Sequence, residues 1–340
     1  MLLFLICLFS FFLSLLNTKF VIFLSEKLEI YDKPDKRKIH SKLTSRLGGF
    51  GFFVPFLITL FLYSLLVKGF EITDFLICVF PIFFLGLYDD LFGINPIIKL
   101  AAQIFASFIA FNLGFRIDYI YFPFVGYLFF GGLSLFLTIF WLVGLSNALN
   151  LVDGMDGLAS GVAILILLSM AIVSYVLDRN FVFIISIILL FSMTGFFVFN
   201  INPARIFMGD SGSLTVGFII GLISISGFMK GLTLVTLFSI IIMLIIPVAD
   251  TLWAIIRRSV SGRSIFSPDK GHFHHMLLEK GWSVRKINSL FRGITVMGSL
   301  VFFFVFLPQE YFLFTASFLI FGYLFLFLLE SIVIGVRKSA

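Results

Sequence analysis

Long apolar runs recur from one end of this 340-residue chain to the other. Many reach about 17–25 residues, enough to cross roughly 30 Å of hydrocarbon as a helix. Lipid offers no partner to a backbone N–H or C=O, so a spanning segment must be a helix or part of a closed barrel. The runs lack the alternation of barrel strands, which leaves helices. With 60% hydrophobic and 12% charged residues, an ordinary soluble domain is excluded. The expected fold is all-α: one integral membrane domain over 1–340, with spans near 1–24, 48–67, 75–88, 98–114, 133–149, 158–177, 181–199, 212–229, 232–255, 290–307 and 311–334.

Charge fixes the expected direction of these eleven spans. Lys27, Lys33, Lys36, Arg37, Lys38, Lys42 and Arg46 crowd the segment after the first run, and Arg257, Arg258, Arg263, Lys270, Lys280, Arg285 and Lys286 the segment before the tenth. Positive residues favour the cytoplasmic side, so the N-terminus is expected outside and Arg337 and Lys338 inside. Loops 25–47, 89–97, 150–157, 200–211 and 256–289 would then share the cytoplasmic face and form the active site. The net charge of +6 is this bias, not a nucleic-acid footprint. The first run has no basic leader and no small-residue cleavage pattern, so it reads as a retained helix. Cys7 and Cys78 both fall in apolar runs, which disfavours a disulfide or cysteine-metal site.

Six aspartates interrupt this background, all in the expected cytoplasmic gaps: Asp89, Asp90, Asp153, Asp156, Asp210 and Asp269. Ionisable residues that persist at membrane depth mark functional sites by default. Carboxylates are hard oxygen ligands, suited to Mg²⁺ or Mn²⁺. Asp210, between Gly209 and Gly212, either caps a helix or stands where a diphosphate approaches a helix N-terminus. Asp89 and Asp90 lie about 100° apart if helical, so they take different jobs. Asp153 and Asp156 share a face if helical, or lie in a tight turn made by the glycines after each. Asn147 and Asn150 precede them and suit a nucleotide or sugar hydroxyl. Lys99, ten residues after Asp89, binds phosphate or pairs with the acids. His272, His274 and His275 suit hydrogen bonds to phosphate or sugar, helped by Lys270 and Arg263, better than a zinc site: adjacent histidines do not converge on a regular helix. His40, in the first basic loop, reads as structural or a weak phosphate contact.

The blocks RKIH…RLGG (37–49), GLYDDLFGINPIIKLAAQ (86–103), NALNLVDGMDGLASG (147–161), NPARIFMGDSGSL (202–214) and DKGHFHHMLLEKG (269–281) resemble, as an ordered set, the polyprenyl-phosphate N-acetylhexosamine-1-phosphate transferases. The resemblance covers most of the chain. It implies attack by a polyprenyl phosphate on the sugar-linked phosphorus of a UDP-sugar, with UMP leaving. By similarity Asp210 is the Mg²⁺ ligand, with Asp89 and Asp153 beside it. Asp89, Asp90, Asp153, Asp156 and Lys99 form the catalytic set. Phe207 stacks on uracil. Asn147, Asn150, Asn202, Arg46, Lys42, Arg263 and the three histidines hold substrate. The last block reads HFHHMLLEKG rather than the HHHFE of muramoyl-pentapeptide enzymes, which favours UDP-GlcNAc and undecaprenyl phosphate. Ser45 stands where relatives often carry proline, a departure that touches the loop near Lys42 and Arg46. The expected setting is a bacterial plasma membrane, with a homodimer left open. The rival from another class is an ion-coupled transporter, whose acids sit near the midplane on broken helices.

Overall fold

The computed structural model describes residues 1–31, 44–122, 126–229, 245–260 and 273–339. Among them twelve α-helices follow in chain order: α1 (Leu2–Leu28), α2 (Gly48–Leu66), α3 (Thr73–Phe92), α4 (Pro96–Asn112), α5 (Leu133–Val152), α6 (Leu158–Val176), α7 (Asn180–Asn200), α8 (Gly209–Ser224), α9 (Ile245–Val260), α10 (Phe273–Glu279), α11 (Val284–Phe306) and α12 (Gln309–Ser339). A π-helical turn, Ile225–Met229, extends α8. The protein is a polytopic helical membrane protein: among the described residues nine helices are long and apolar enough to cross a bilayer, and α4 is a shorter apolar helix. Ten of the eleven expected spans fall on these helices. The eleventh, 232–255, lies mostly outside the described residues, which begin again at Ile245.

The all-α expectation misses one small feature. Between α4 and α5, strands β1 (Tyr119–Phe122) and β2 (Gly126–Phe129) pair antiparallel, with Tyr119 opposite Phe129 and Phe122 opposite Gly126. Tyrosine and phenylalanine are good strand formers, and short pairs like this carry little periodic signal.

The core is α8. Of its apolar window 83% is buried, against 17% for α12, so α8 is the central post and α12 a peripheral, lipid-facing one. Helix packing in lipid cannot use the hydrophobic effect and depends on close approach of small residues. Helix α1 shows this: Ser10, Ser14, Thr18 and Ser25 form its buried stripe. Gly195 of α7 meets the Phe11 carbonyl and Ser14 so closely that a Cβ would sit 2.6 Å from that oxygen. Ser10 Oγ donates to Ile188 O (3.1 Å) and Ser192 Oγ to Phe52 O (2.6 Å), tying α1, α2 and α7 together.

The helix ends differ from the expected boundaries in one consistent way. Helix α3 runs on to Phe92, α5 to Val152, and α8 and α11 start early, at Gly209 and Val284. The expected loops 89–97, 150–157 and 200–211 therefore shrink, and Asp89, Asp90, Asn150 and Asp210 sit on helical turns. Polar residues end a hydrophobic run by composition, yet here they continue the helix because each finds a partner on a neighbouring one.

Candidate active site

Helix α3 touches the start of α8 through Gly86. A Cβ at Gly86 would lie 2.5 Å from both Asp210 O and Ser211 N, so only glycine allows the two backbones to meet. Asp90 lies one turn further along the same face. It accepts hydrogen bonds from Asp210 N (2.8 Å), Ser211 N (2.9 Å) and Ser211 Oγ (2.6 Å). Asp153 takes the preceding amide, from Gly209, whose positive φ of 70° turns the chain into α8. Two carboxylates from α3 and the α5–α6 turn thus cap the first amides of α8 from outside. The Asp210 side chain does not cap its own helix; the first amides of α8 are held by Asp90 and Asp153 instead.

Capping from outside leaves the Asp210 side chain for other partners. Its Oδ1 accepts from Asn150 Nδ2 at 2.8 Å, and its Oδ2 pairs with Lys99. Asn150 also donates to Ser213 Oγ (2.8 Å), which bonds back to Gly209 O (2.9 Å). Lys99 reaches Asp89 Oδ2 as well, at 2.8 Å. Asp89 Oδ1 accepts from Ile94 N (2.7 Å), which folds the turn between α3 and α4. Asn95 then caps α4 through Ile97 N (2.9 Å), with Pro96 at the first helical position. The neighbours Asp89 and Asp90 therefore do separate work, as 100° of helical rotation requires.

Negative charge is in excess here. Asp153 lies in the turn that ends α5, and its carboxyl is held well above the usual carboxylate range. Burial is the first cause, followed by the charges of Asp210, Asp90 and Asp156. Its partner in the tight-turn alternative, Asp156, serves a different loop. Asp156 Oδ2 accepts from Asn202 Nδ2 (2.8 Å) and Ala204 N (2.9 Å).

The structure gives several of the expected site residues protein partners. The carboxylates of Asp90 and Asp156, expected among the catalytic acids, accept hydrogen bonds from backbone amides and from Ser211 and Asn202. Asn202, expected on substrate, donates to Asp156. Asn147, also expected there, pairs with Gln103: its Nδ2 donates to Gln103 Oε1 at 2.6 Å. Asp210, Asp89 and Asp153 do not form a ready-made cage, and among the described residues no three His, Cys, Asp or Glu side chains do. The Lys99 ammonium lies between Asp89 and Asp210 instead.

Phe207 is half-buried on the loop leading into α8. Its N–H donates to Ser45 O at 2.8 Å, and Ser45 pairs with Ile206 as a parallel bridge. Ser45 Oγ is 2.7 Å from Ser25 Oγ on α1. The serine that departs from the resemblance is thus a fixed joint among α1, the Arg46 segment and the Phe207 loop. The Arg46 carbonyl packs against Gly209. Lys42, Arg263, His272, His40, Asp269 and Lys270 lie outside the described residues; His274 and His275 fall on α10, where their side chains are likewise outside them.

Gln103, Ser211, Ser213 and Arg337 were not anticipated. The first three carried a visible signal, lying within about one turn of Lys99 or of Asp210. Arg337 carried none beyond its charge. The Arg292–Glu330 pair was also visible as two charges inside the last two apolar runs. Arg292 Nη2 and Glu330 Oε2 are 3.0 Å apart, and each residue is 1% exposed.

Comparison with known proteins agrees with this architecture. Residues 72–228 match the model of glycosyl transferase family 4. A probable undecaprenyl-phosphate N-acetylglucosaminyl 1-phosphate transferase of Bacillus subtilis is 35% identical over 260 residues, covering 76% of this chain and 72% of that one. An undecaprenyl-phosphate alpha-N-acetylglucosaminyl 1-phosphate transferase of Thermotoga maritima is 32% identical over 280 residues, 80% and 79% of the two chains. A phospho-N-acetylmuramoyl-pentapeptide-transferase of Staphylococcus carnosus is 39% identical over a shorter stretch of 166 residues, 48% and 49%. Helices α3 to α8, which carry Asp89, Lys99, Asn150, Asp153 and Asp210, fall within the matched region, and the chain belongs to glycosyl transferase family 4.

Proposed function

We propose that this transferase moves N-acetylglucosamine-1-phosphate from UDP-GlcNAc to undecaprenyl phosphate, releasing UMP at the cytoplasmic face of a bacterial plasma membrane. The observation that carries the reading is the Asp89–Lys99–Asp210–Asn150 chain at one end of the bundle, beside the Phe207 loop. Names of relatives that cover most of the chain favour the same acceptor and sugar. A phosphate oxygen of the lipid forms a bond to the β-phosphorus as the bond to the UMP oxygen breaks. A phosphate monoester has a second pKa of about 6, so the nucleophile is mostly ionised at neutral pH and needs placement more than deprotonation. Lys99 neutralises phosphate charge, Asp89 holds Lys99 in place, and Asn150 orients Asp210. Phe207 stacks on the uracil; Arg46, Lys42, Arg263, His272, His274 and His275 serve the diphosphate and sugar.

The excess of negative charge around Asp153 and Asp210, all on oxygen donors, fits a Mg²⁺ or Mn²⁺ ion held by one or two carboxylates. Bound there, such an ion supplies charge neutralisation at the diphosphate.

The test is purified protein with UDP-GlcNAc, undecaprenyl phosphate and Mg²⁺, read as UMP release and as the lipid product. A panel with UDP-GalNAc and UDP-MurNAc-pentapeptide separates the donors. Transfer from the pentapeptide donor alone would move the assignment to the muramoyl branch, to which the Staphylococcus similarity is confined to half of each chain. The transporter reading predicts uptake into liposomes without UMP. It is disfavoured because the acids gather at one end of the helices rather than midway along them.

A further inference from the structure

The loop 201–208 carries Phe207 into α8, and its first half is clamped from two sides. Asp156 holds Asn202 and Ala204, as described. The other side is held by the far end of the chain. Arg337, in the last turn of α12, donates from Nη1 to Ile201 O (3.0 Å) and Pro203 O (2.5 Å) and from Nη2 to Val198 O (2.9 Å). Helix α7 ends at Asn200, so Val198 O and Ile201 O belong to the end where carbonyls have lost their helical donors and the dipole is negative. A guanidinium suits this place for a geometric reason. Its donors lie in one rigid plane and can serve three carbonyls at once, whereas an ammonium on a flexible stem acts as a point charge.

We propose that Arg337 is a positioning residue for donor binding: by fixing the backbone from Val198 to Pro203 it sets where Phe207 presents its ring, although it lies 127 residues beyond Asp210 and in none of the motif blocks. The inference rests on the nucleotide-sugar reading of the site. Only Ala204 to Ile206 separate the clamp from Phe207, whose own N–H is held by Ser45. Asn200, at the end of α7, holds Ile206 O through Nδ2 (2.9 Å) and is itself held by Ser160 Oγ (2.5 Å). A shift of the α7 terminus therefore passes to Ile206 and Phe207 directly. The Asp89–Lys99–Asp210 chain is built on α3, α4 and α8 and is held by separate bonds, so it stays in place.

The test compares the full-length protein with Arg337→Gln and Arg337→Lys. Steady-state kinetics give KM for the nucleotide sugar and for undecaprenyl phosphate, and calorimetry gives Kd for UMP. In the Gln variant donor KM and UMP Kd should rise together by about tenfold, the scale of one lost charged hydrogen bond. Acceptor KM should stay within about twofold and kcat should fall less than donor KM rises. The Lys variant should recover part of the loss. Unchanged UMP Kd in a Gln variant whose melting temperature matches wild type would overturn the proposal, as would equal rises in both KM values. Wild-type protein that neither binds UMP nor releases it would instead remove the donor reading, so the two failures are separable.

Discussion

Asp210 has one arrangement of partners, and each makes a distinct prediction. Its oxygens face Asn150 and Lys99, while its backbone is held by Asp90. Asp210→Asn keeps the size and the backbone bonds but removes the charge, so UMP release should fall by several orders of magnitude with the melting temperature nearly unchanged. Full activity at ordinary Mg²⁺ would remove Asp210 from the reaction. Phe207→Ala should raise donor KM with little change in acceptor KM, since base stacking is worth about 1–3 kcal/mol per ring; an equal effect on both substrates would argue against a nucleobase partner. Asp153 makes a prediction of opposite sign for stability. Its charged form is disfavoured by burial and by three neighbouring aspartates, so Asp153→Asn should raise the melting temperature in chelator while lowering activity. Asparagine still offers an oxygen to the Gly209 amide. A lower melting temperature would mean that the charge, not the hydrogen bond, holds that turn.

The polar groups of the candidate site lie at helix ends because helix pairs bring those ends together. Gly86 shows how tight the fit is: Gly86→Val would force α3 away from α8 and move Asp90 off the amides of Asp210 and Ser211. Loss of both activity and stability is expected, because the amides are left without a partner at about 1–3 kcal/mol each; a folded, active Val variant would show that the two helices tolerate separation. Arg292 and Glu330 do comparable work between α11 and α12, away from the acids. Removing one member leaves a buried charge, at about 3–5 kcal/mol. Glu330→Gln should therefore unfold the C-terminal pair first, seen as faster hydrogen exchange in α12 than in α8. Hydrophobic run lengths made ten of the helices legible in the sequence, and acids in gaps pointed to the cluster that Asp89, Asp90, Asp153 and Asp210 form in the structure. The division of labour among the acids was not legible, because Asp90 and Asp153 act through amides of a helix 120 and 56 residues away in sequence. The bonds of Asp156 to Asn202 and Ala204 were hidden for the same reason: a polar residue between spans looks alike in sequence whether it faces a ligand or holds a loop.

Across the whole molecule, the site elements meet at one end of the bundle. The last turns of α1, α3, α5, α7 and α12 and the first turns of α2, α4, α6, α8 and α11 share it: Ser25 meets Ser45, Asn150 meets Asp210, Asn288 Nδ2 donates to Asp156 O (2.8 Å), and Arg337 reaches Ile201. The hairpin of β1 and β2 lies between the opposite ends of α4 and α5. The proposed transfer between a water-soluble nucleotide sugar and a lipid needs this end in the cytoplasm, and the dense positive charge within 25–46 and 257–286 is the physical reason to expect that face. Single cysteines decide it. Cys7 and Cys78 are buried and give no background with a charged maleimide. Gly154→Cys reports the site end and Tyr127→Cys the hairpin, and both positions are exposed. In intact cells the impermeant reagent should label position 127 and spare position 154 until the membrane is opened. The reverse pattern would put the carboxylates outside, away from any nucleotide pool, and would end the transferase assignment of this site; labelling of both in intact cells would mean that α5, which separates them, does not span the bilayer.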